Sequence, residues 1–334
     1  KLTEPHARKR VAREIRILKA LNHPYIIRLY EVVDVPYRKY LIMQYSSGGD
    51  LCRYVREHRR LSEQEACRLF VQIVQGLQHC HMSGIVHRDV KLDNLLIDEE
   101  KNIKIVDFGF SVSFKPGQKL RKACGSPSYA APEIVARRPY SPTGVDVWSL
   151  GVVLYAMVCG YFPFQGSGNQ DLCKRIVKGK FECPSFMSAE CKDLIRRMLC
   201  VDAAKRATLP ECQQHSWCKA AFARQAAANV RIRMIECEKS EDSLDRSTLD
   251  EEIEVEEDLL GEMVGLGFRR EFVTRCVERN MHNLCCSTYW LLHQKREQAR
   301  VQLAKGRAAE DGSGSAEAQP TTPSNSNPAR RMMV

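Results

Sequence analysis

A chain of 334 residues is too long for one small domain and suits one large two-lobed domain with an appendage, or two ordinary domains. With 44% hydrophobic and 28% charged residues, the composition excludes collagen-like, coiled-coil and wholly disordered chains. The net charge of +10, from 51 basic and 41 acidic residues, would permit nucleic-acid or acidic partners. No Lys/Arg block is interleaved with aromatics, however, so solvated surfaces are expected, with no nucleic acid and no membrane partner.

In chain order, Val11, Ile15, Leu18 and Leu21 recur at helical spacing and predict an amphipathic helix over 5–21. Strand-like runs follow at Ile26–Val33 and Tyr40–Tyr45, the second broken by Ser47-Gly48-Gly49. Helical patterns dominate afterwards, at 51–57, 63–82, 145–159, 170–178 and 189–199. Two short strands, Leu95–Asp98 and Ile103–Val106, form a hairpin with a polar turn. No apolar run reaches the ~20 residues of a membrane-spanning helix, and the longest, Gly151 to Phe164, reads as a buried helix. An acidic linker is expected over 219–256, a three-helix module over 257–296, and a basic helix end with a disordered tail over 297–334.

The 15 cysteines are scattered and never form a Cys-x-x-Cys pair, which suits reduced thiols in the cytoplasm, with the nucleus as a second compartment. Cys212, His215 and Cys218 have metal-like spacing but supply three ligands only, so packing is the preferred role.

The chemistry concentrates between residues 87 and 133. In His87-Arg88-Asp89-Val90-Lys91-Leu92-Asp93-Asn94, an Asp after a strand-like run can orient a hydroxyl and accept its proton, and the Asn five residues on can reach a metal on the same face. Eighteen residues past Asp89 comes Asp107-Phe108-Gly109, whose carboxylate can bind Mg²⁺ bridging phosphate oxygens. Cys124-Gly125-Ser126-Pro127-Ser128-Tyr129-Ala130-Ala131-Pro132-Glu133 closes the segment. Each motif alone is weak, but in this order and spacing they are specific.

Together they resemble the protein kinase superfamily, and within it the AMP-activated protein kinase-related (Snf-like and microtubule-affinity-regulating) Ser/Thr kinases, over residues 1–218. The resemblance implies an α+β bilobal fold with a truncated small lobe and a complete helical large lobe, plus a small three-helix bundle. It implies transfer of the ATP γ-phosphoryl group to protein hydroxyls, with ATP and Mg²⁺ as cofactors. Asp89 would be the base, Lys91 would neutralise the γ-phosphate, and Asn94 and Asp107 would hold Mg²⁺. Glu14 matches the glutamate of the first helix that pairs with the ATP-anchoring lysine. Met43 matches the gatekeeper, Gln44, Tyr45 and Ser46 the hinge, Asp50 the ribose partner and Leu96 the floor of the adenine site. Leu18, Leu29, His87 and Phe108 match the spine coupling the lobes. Asp146 matches the brace of the catalytic loop, and Glu133 with Arg206 the buried ion pair. Lys91 and the Gly-Ser-Pro-x-Tyr-x-Ala-Pro-Glu segment point to Ser/Thr rather than Tyr. Asp50 and Asp93 favour substrates with a basic residue upstream of the acceptor, and Ser126 would hydrogen-bond near Asp89 and Lys91.

The sequence also departs from the family. It holds no Gly-x-Gly-x-x-Gly loop and no Val-Ala-x-Lys before the first helix, so Glu14 has no lysine to pair with. An incomplete sequence explains this better than a natural pseudokinase, because Asp89, Asn94 and Asp107 are intact. Residues 1–334 alone are expected to be inactive, and the alternative is a pseudokinase or ubiquitin-linked scaffold. The relatives carry a threonine two residues before Cys-Gly-Ser-Pro whose phosphate docks on the Arg of His-Arg-Asp. Here that residue is Lys122. Like charges should send Lys122 to solvent and leave Arg88 unpaired, with the segment either held by other contacts or poorly ordered. An upstream regulator is kept among the partners, but one acting through that threonine is not expected. Residues 257–296, with Met263 to Phe268 around a turn, resemble a ubiquitin-associated domain that packs on and regulates the kinase. Ubiquitin capture is not expected, and a monomer is.

Overall fold

The computed structural model describes residues 5–35, 38–225, 255–278, 281, 283–293, 295, 296 and 299. Residues 226–254 of the expected linker and, except for residue 299, the expected tail from 297 lie outside them. The described chain is helix-rich with short strands, the α+β class expected. It divides into two compact units, one built from residues 5–28 and 44–225, the other from residues 29–43 and 255–299.

In the first unit, helix α1 (Pro5–Ala20) buries Ile17 and Leu18 near its end. The strand expected over 26–33 starts late, at Leu29, and the first three residues of that run do not join it. Pro24 and Tyr25 form a turn, Ile26 makes a lone bridge to Ile105, and the Ile27 amide donates to the Ile105 carbonyl (3.0 Å). Helix α2 (Leu51–His58) and helix α3 (Glu63–Met82) follow, capped by the Asp50 and Ser62 side chains. Helix α3 buries Leu69, Phe70, Ile73, Val74 and Leu77 at helical spacing. Its partner is helix α5 (Pro142–Cys159), after the short helix α4 (Pro132–Val135). Helix α5 is long and apolar enough to cross a membrane by composition, but sixteen of its eighteen residues are buried in this fold. It is therefore the core helix, with Trp148 stacked on Phe164 at 5.6 Å. Gly160 ends it at φ +77°, where a Cβ would lie 1.9 Å from the Arg59 carbonyl oxygen. Helices α6 (Asn169–Lys178), α7 (Ala189–Met198) and α8 (Leu209–Gln214) complete the body. A further helix, α9 over 216–225, runs past the domain end expected at 218.

Cys212 and Cys218 are buried, the Cys218 thiol donates to the Cys212 carbonyl (2.8 Å), and His215 pairs with Asp193 at 2.9 Å. These residues pack and pair with protein groups rather than converge.

The second unit holds the antiparallel pair β1 (Leu29–Val35) and β2 (Arg38–Met43) and a small helical module. Helices α10 (Glu257–Gly265), α11 (Arg270–Glu278) and α12 over 284–293 bury Leu260, Met263, Val273, Val277 and Tyr289. The chain turns after α10 at Gly267, φ +92°. The Ser287 hydroxyl, buried, donates to the Tyr30 carbonyl of β1 (2.9 Å) and joins the module to the strand pair.

Candidate active site

The residues of interest in the first unit lie on the loops around two small strand pairs. Strands β3 (Ile85–Val86) and β6 (Val112–Ser113) bracket the segment, and β4 (Leu95–Ile97) pairs with β5 (Ile103–Ile105). The expected hairpin forms, with Leu95 opposite Ile105. The Asn94 carbonyl accepts from Val106 N (3.0 Å), so the end of one motif is tied to the start of the next.

Asp146, buried in α5, organises the loop between β3 and β4. One of its carboxylate oxygens accepts from His87 N (2.9 Å) and from the His81 ring (2.8 Å). The other accepts from Arg88 N (2.8 Å). Burial works against this carboxylate, yet the hydrogen bonds outweigh it and hold its pKa below the usual range. That grip keeps Arg88 at φ +67°. His87 donates from Nε2 to Val106 O (3.1 Å) and meets the Phe108 ring edge-on at 5.0 Å.

Asp89 is buried, and its carboxylate is held from four directions. Oδ1 accepts from Ser126 N (2.9 Å) and Ser126 Oγ (3.0 Å). Oδ2 accepts from Asn94 Nδ2 (3.2 Å) and lies 3.1 Å from Lys91 Nζ. Lys91 also reaches Ser126 Oγ at 3.3 Å. Asp89, Lys91, Asn94 and Ser126 thus form one cluster. The Asn94 amide nitrogen donates to Asp89 twice, which leaves its side-chain oxygen uncommitted to that carboxylate.

Asp107 is exposed and left-handed (φ +63°), with one carboxylate oxygen accepting from Gly109 N (3.2 Å). The Asn94 and Asp107 oxygens are hard donors of the kind Mg²⁺ takes. The turn 107–110 packs on α1, where Arg13 donates to Gly109 O (3.3 Å). Glu14 faces the same turn. Burial raises its pKa, and the Asp107 charge raises it further.

Beside β4, Gly48 N donates to Ile97 O (2.8 Å) and Ile97 N to Gly49 O (2.8 Å), which sets Asp50 across from Leu96. A Cβ on Gly48 would lie 2.7 Å from the Ile97 oxygen, so only glycine permits this approach. Asp50 uses one oxygen to cap α2 at Arg53 N (2.8 Å). Gln44 N is taken by Arg28 O (2.9 Å). The backbones of Tyr45 and Ser46 find no partner among the described residues, and Ser46 Oγ is buried without one. Met43 ends β2 in the second unit, 42% exposed.

The large-body ion pair forms as the motif implies, with the Arg206 guanidinium forked onto Glu133 at 2.7 and 2.8 Å. Arg88 differs from expectation. Lys122 is exposed, but Arg88 is not unpaired. Its guanidinium donates to Phe110 O (2.9 and 2.6 Å) and to the Tyr140 hydroxyl (3.2 Å). The sequence reading missed Tyr140 and His81. A lone tyrosine seven residues past Glu133 and a histidine on the last turn of a buried helix carry no pattern of their own.

A family model described as Protein kinase domain matches residues 1–218. The Serine/threonine-protein kinase SIK3 homolog of Danio rerio is 40% identical over 289 residues, 86% of this chain and 23% of the relative. The SNF1-related protein kinase catalytic subunit alpha KIN12 of Arabidopsis thaliana is 39% identical over 292 residues, 87% of this chain and 56% of the relative. Serine/threonine protein kinase OSK4 of Oryza sativa subsp. indica is 39% identical over 291 residues, 87% and 54%. The chain therefore spans from under a quarter to a little over half the length of these relatives.

Proposed function

The chain belongs to the protein kinase family, and on that premise we propose that its first unit carries the machinery for moving the ATP γ-phosphoryl group to Ser or Thr hydroxyls of proteins. The observation that carries this is Asp89, a carboxylate fixed by Ser126, Asn94 and Lys91 together. A base so held can orient an acceptor hydroxyl and take its proton. Lys91 stands beside it as a cation for the transferred group. Asn94 and Asp107 would hold Mg²⁺, which when bound neutralises phosphate charge. The free hinge groups of Tyr45 and Ser46, together with Gln44, would seat adenine. Leu96 would floor it, and the second oxygen of Asp50 would take the ribose. Glu14 would wait for an anchoring lysine.

Two finer readings attach to this. Asp93 is exposed beside the cluster and, with Asp50, supports a preference for a basic substrate residue. The Ser287–Tyr30 bond supports regulation by the 257–296 module through the strand pair it joins. We do not propose ubiquitin capture through the stretch Met263 to Phe268: Met263 is fully buried in the module core, and only Val264 and Leu266 of its large apolar side chains are well exposed.

Phosphoryl transfer is mostly positioning and electrostatics, so the phosphate loop and the lysine count as much as Asp89. Residues 1–334 alone should show no measurable transfer. A form carrying a Gly-rich loop and a lysine ahead of residue 1 should phosphorylate a basic peptide, and Asp89→Asn should cut that rate by ~10²–10⁴ with ATP binding unchanged. A rate close to that of the parent in Asp89→Asn would sink the assignment. No transfer by the parent form would favour a pseudokinase scaffold.

A further inference from the structure

Tyr140 precedes α5 and is buried, with 2% of its surface exposed. Its backbone exchanges two hydrogen bonds with Leu120, each 2.9 Å. Its hydroxyl donates to Lys122 O (2.8 Å) and accepts from the Arg88 guanidinium (3.2 Å). The same guanidinium holds Phe110 O. One phenol and one cation thus tie together the catalytic loop, the turn after Asp107 and the loop 120–126. That loop passes very close to the catalytic loop. Gly125 sits at φ +97°, and a Cβ there would come within 2.6 Å of the Arg88 carbonyl oxygen. The next residue, Ser126, is the one whose amide and hydroxyl hold Asp89.

We propose that Tyr140 is a positioning residue for the transfer reaction: its hydroxyl locks the loop 120–126 onto Arg88 and so delivers Ser126 to Asp89, without a phosphate on the loop. The role rests on the kinase reading above. The chemistry is consistent at each atom. Arg88 needs acceptors, and it has the Phe110 carbonyl and the phenol oxygen. The phenol proton is then free for Lys122 O. Lys122 contributes only its carbonyl, while its amine lies in solvent, so a cation at this position interferes with nothing. Burial pushes the Tyr140 phenol pKa up, against the opposing pull of Arg88, and the group stays protonated as the lock requires.

Tyr140→Phe removes the hydroxyl and keeps the ring. In residues 1–334, hydrogen exchange should speed up about ten-fold at residues 120–126, the fold-change one hydrogen bond is worth, while exchange in α5 stays put. Lys122→Ala should leave exchange unchanged, since only the carbonyl is used. Unchanged exchange in Tyr140→Phe, or equal loosening by Lys122→Ala, would overturn the proposal. If Tyr140→Phe also raises exchange through α5, Arg88→Lys is read instead. It should loosen 120–126 with α5 unaffected, and failure to do so overturns the lock equally. In the active, N-terminally extended form, Tyr140→Phe should lower kcat about ten-fold with the KM for ATP unchanged, and phosphatase treatment of the parent should leave its activity intact. Activity that collapses on phosphatase treatment, with a phosphate mapped between Ser111 and Ser128, would overturn the phosphate-free lock. Exchange is read without catalysis, so a failed exchange result sinks the lock alone, whereas absent transfer by the parent sinks the kinase reading.

Discussion

Two sides of the first unit are built differently. The catalytic loop is held by partners far away in sequence: Asp146 grips His87 and Arg88 across 59 and 58 residues, and Ser126 grips Asp89 across 37. The opposite side is tied through its backbone, Gly48 and Gly49 to Ile97, but its polar side chains are not braced in the same way. Glu14 faces the like charge of Asp107, Ser46 Oγ is buried without a partner, and Asp50 spends one oxygen on a helix cap. The braced side is finished within the described residues. The other side has spare polar groups, which is what a site completed by a nucleotide and a lysine would leave. Binding such partners would offset the cost of polar groups left without them.

The largest effect should come from cutting the brace. Asp146→Ala would leave the His81 ring nitrogen and the amides of His87 and Arg88 without their acceptor. Each unsatisfied buried group costs ~1–3 kcal/mol, so a loss of ~3 kcal/mol or more is expected in urea unfolding. The catalytic loop should also exchange faster than the pair β4–β5. A loss under ~1 kcal/mol would erase the contrast between the two sides.

How far the sequence foretold this contrast depends on what carries each part. The Asp89 cluster was legible because its members lie in motifs with fixed spacing, and Lys91, Asn94 and Ser126 gather as the resemblance implies. Helices α1, α2, α3, α5, α6 and α7 were legible within a few residues, because caps such as Ser62 and Ser188 and the apolar period are local signals, whereas α4, α8 and α9 were not read. The start of the strand expected at Ile26 was not, because an apolar run does not say which of its residues will pair along a neighbour, as Leu29 to Val33 do, and which will meet Ile105 at a single bridge, as Ile26 does. The fate of Arg88 was not legible either. Sequence shows the anion missing at Lys122, but Tyr140 arrives there through an antiparallel bridge to Leu120 that spacing does not encode.

A smaller effect should appear at the seam beside α1. His23 stacks on His79 at 5.1 Å, and its Nδ1 accepts from Tyr25 N (3.2 Å), which requires the neutral ring. Burial, then the charges of His79 and Lys104, lower its pKa to about 4. The depressed folded value means its share of stability is complete above the unfolded value near 6.5 and is lost as pH falls toward about 4. After discounting for partial exposure, the loss is ~1 kcal/mol. His23→Gln should flatten that part of the stability–pH curve. A curve of the same slope in the variant would remove His23 from the account.

The smallest effect is the sharpest test of the unfinished side, because its sign matters more than its size. Glu14 carries a raised pKa from burial and from Asp107. A carboxylate raised in the folded state favours its protonated form there. Its contribution is then present below the unfolded value near 4.3 and is lost as pH rises through the folded one. At neutral pH the ionised Glu14 is therefore a cost to residues 1–334. Glu14→Gln removes the charge and keeps the shape, so it should raise stability at pH 7 by a few tenths of a kcal/mol, given the screening of a half-exposed group. At pH 4 the gain should vanish. In a form that supplies an anchoring lysine, the same substitution should instead destabilise, because the cation would then lose its partner. Thermal unfolding of the four proteins at the two pH values reads this reversal directly. A loss of stability at pH 7 in residues 1–334 would mean that the charge of Arg10 outweighs burial and Asp107 at Glu14, and the contrast between the braced and the unfinished sides would fall with it.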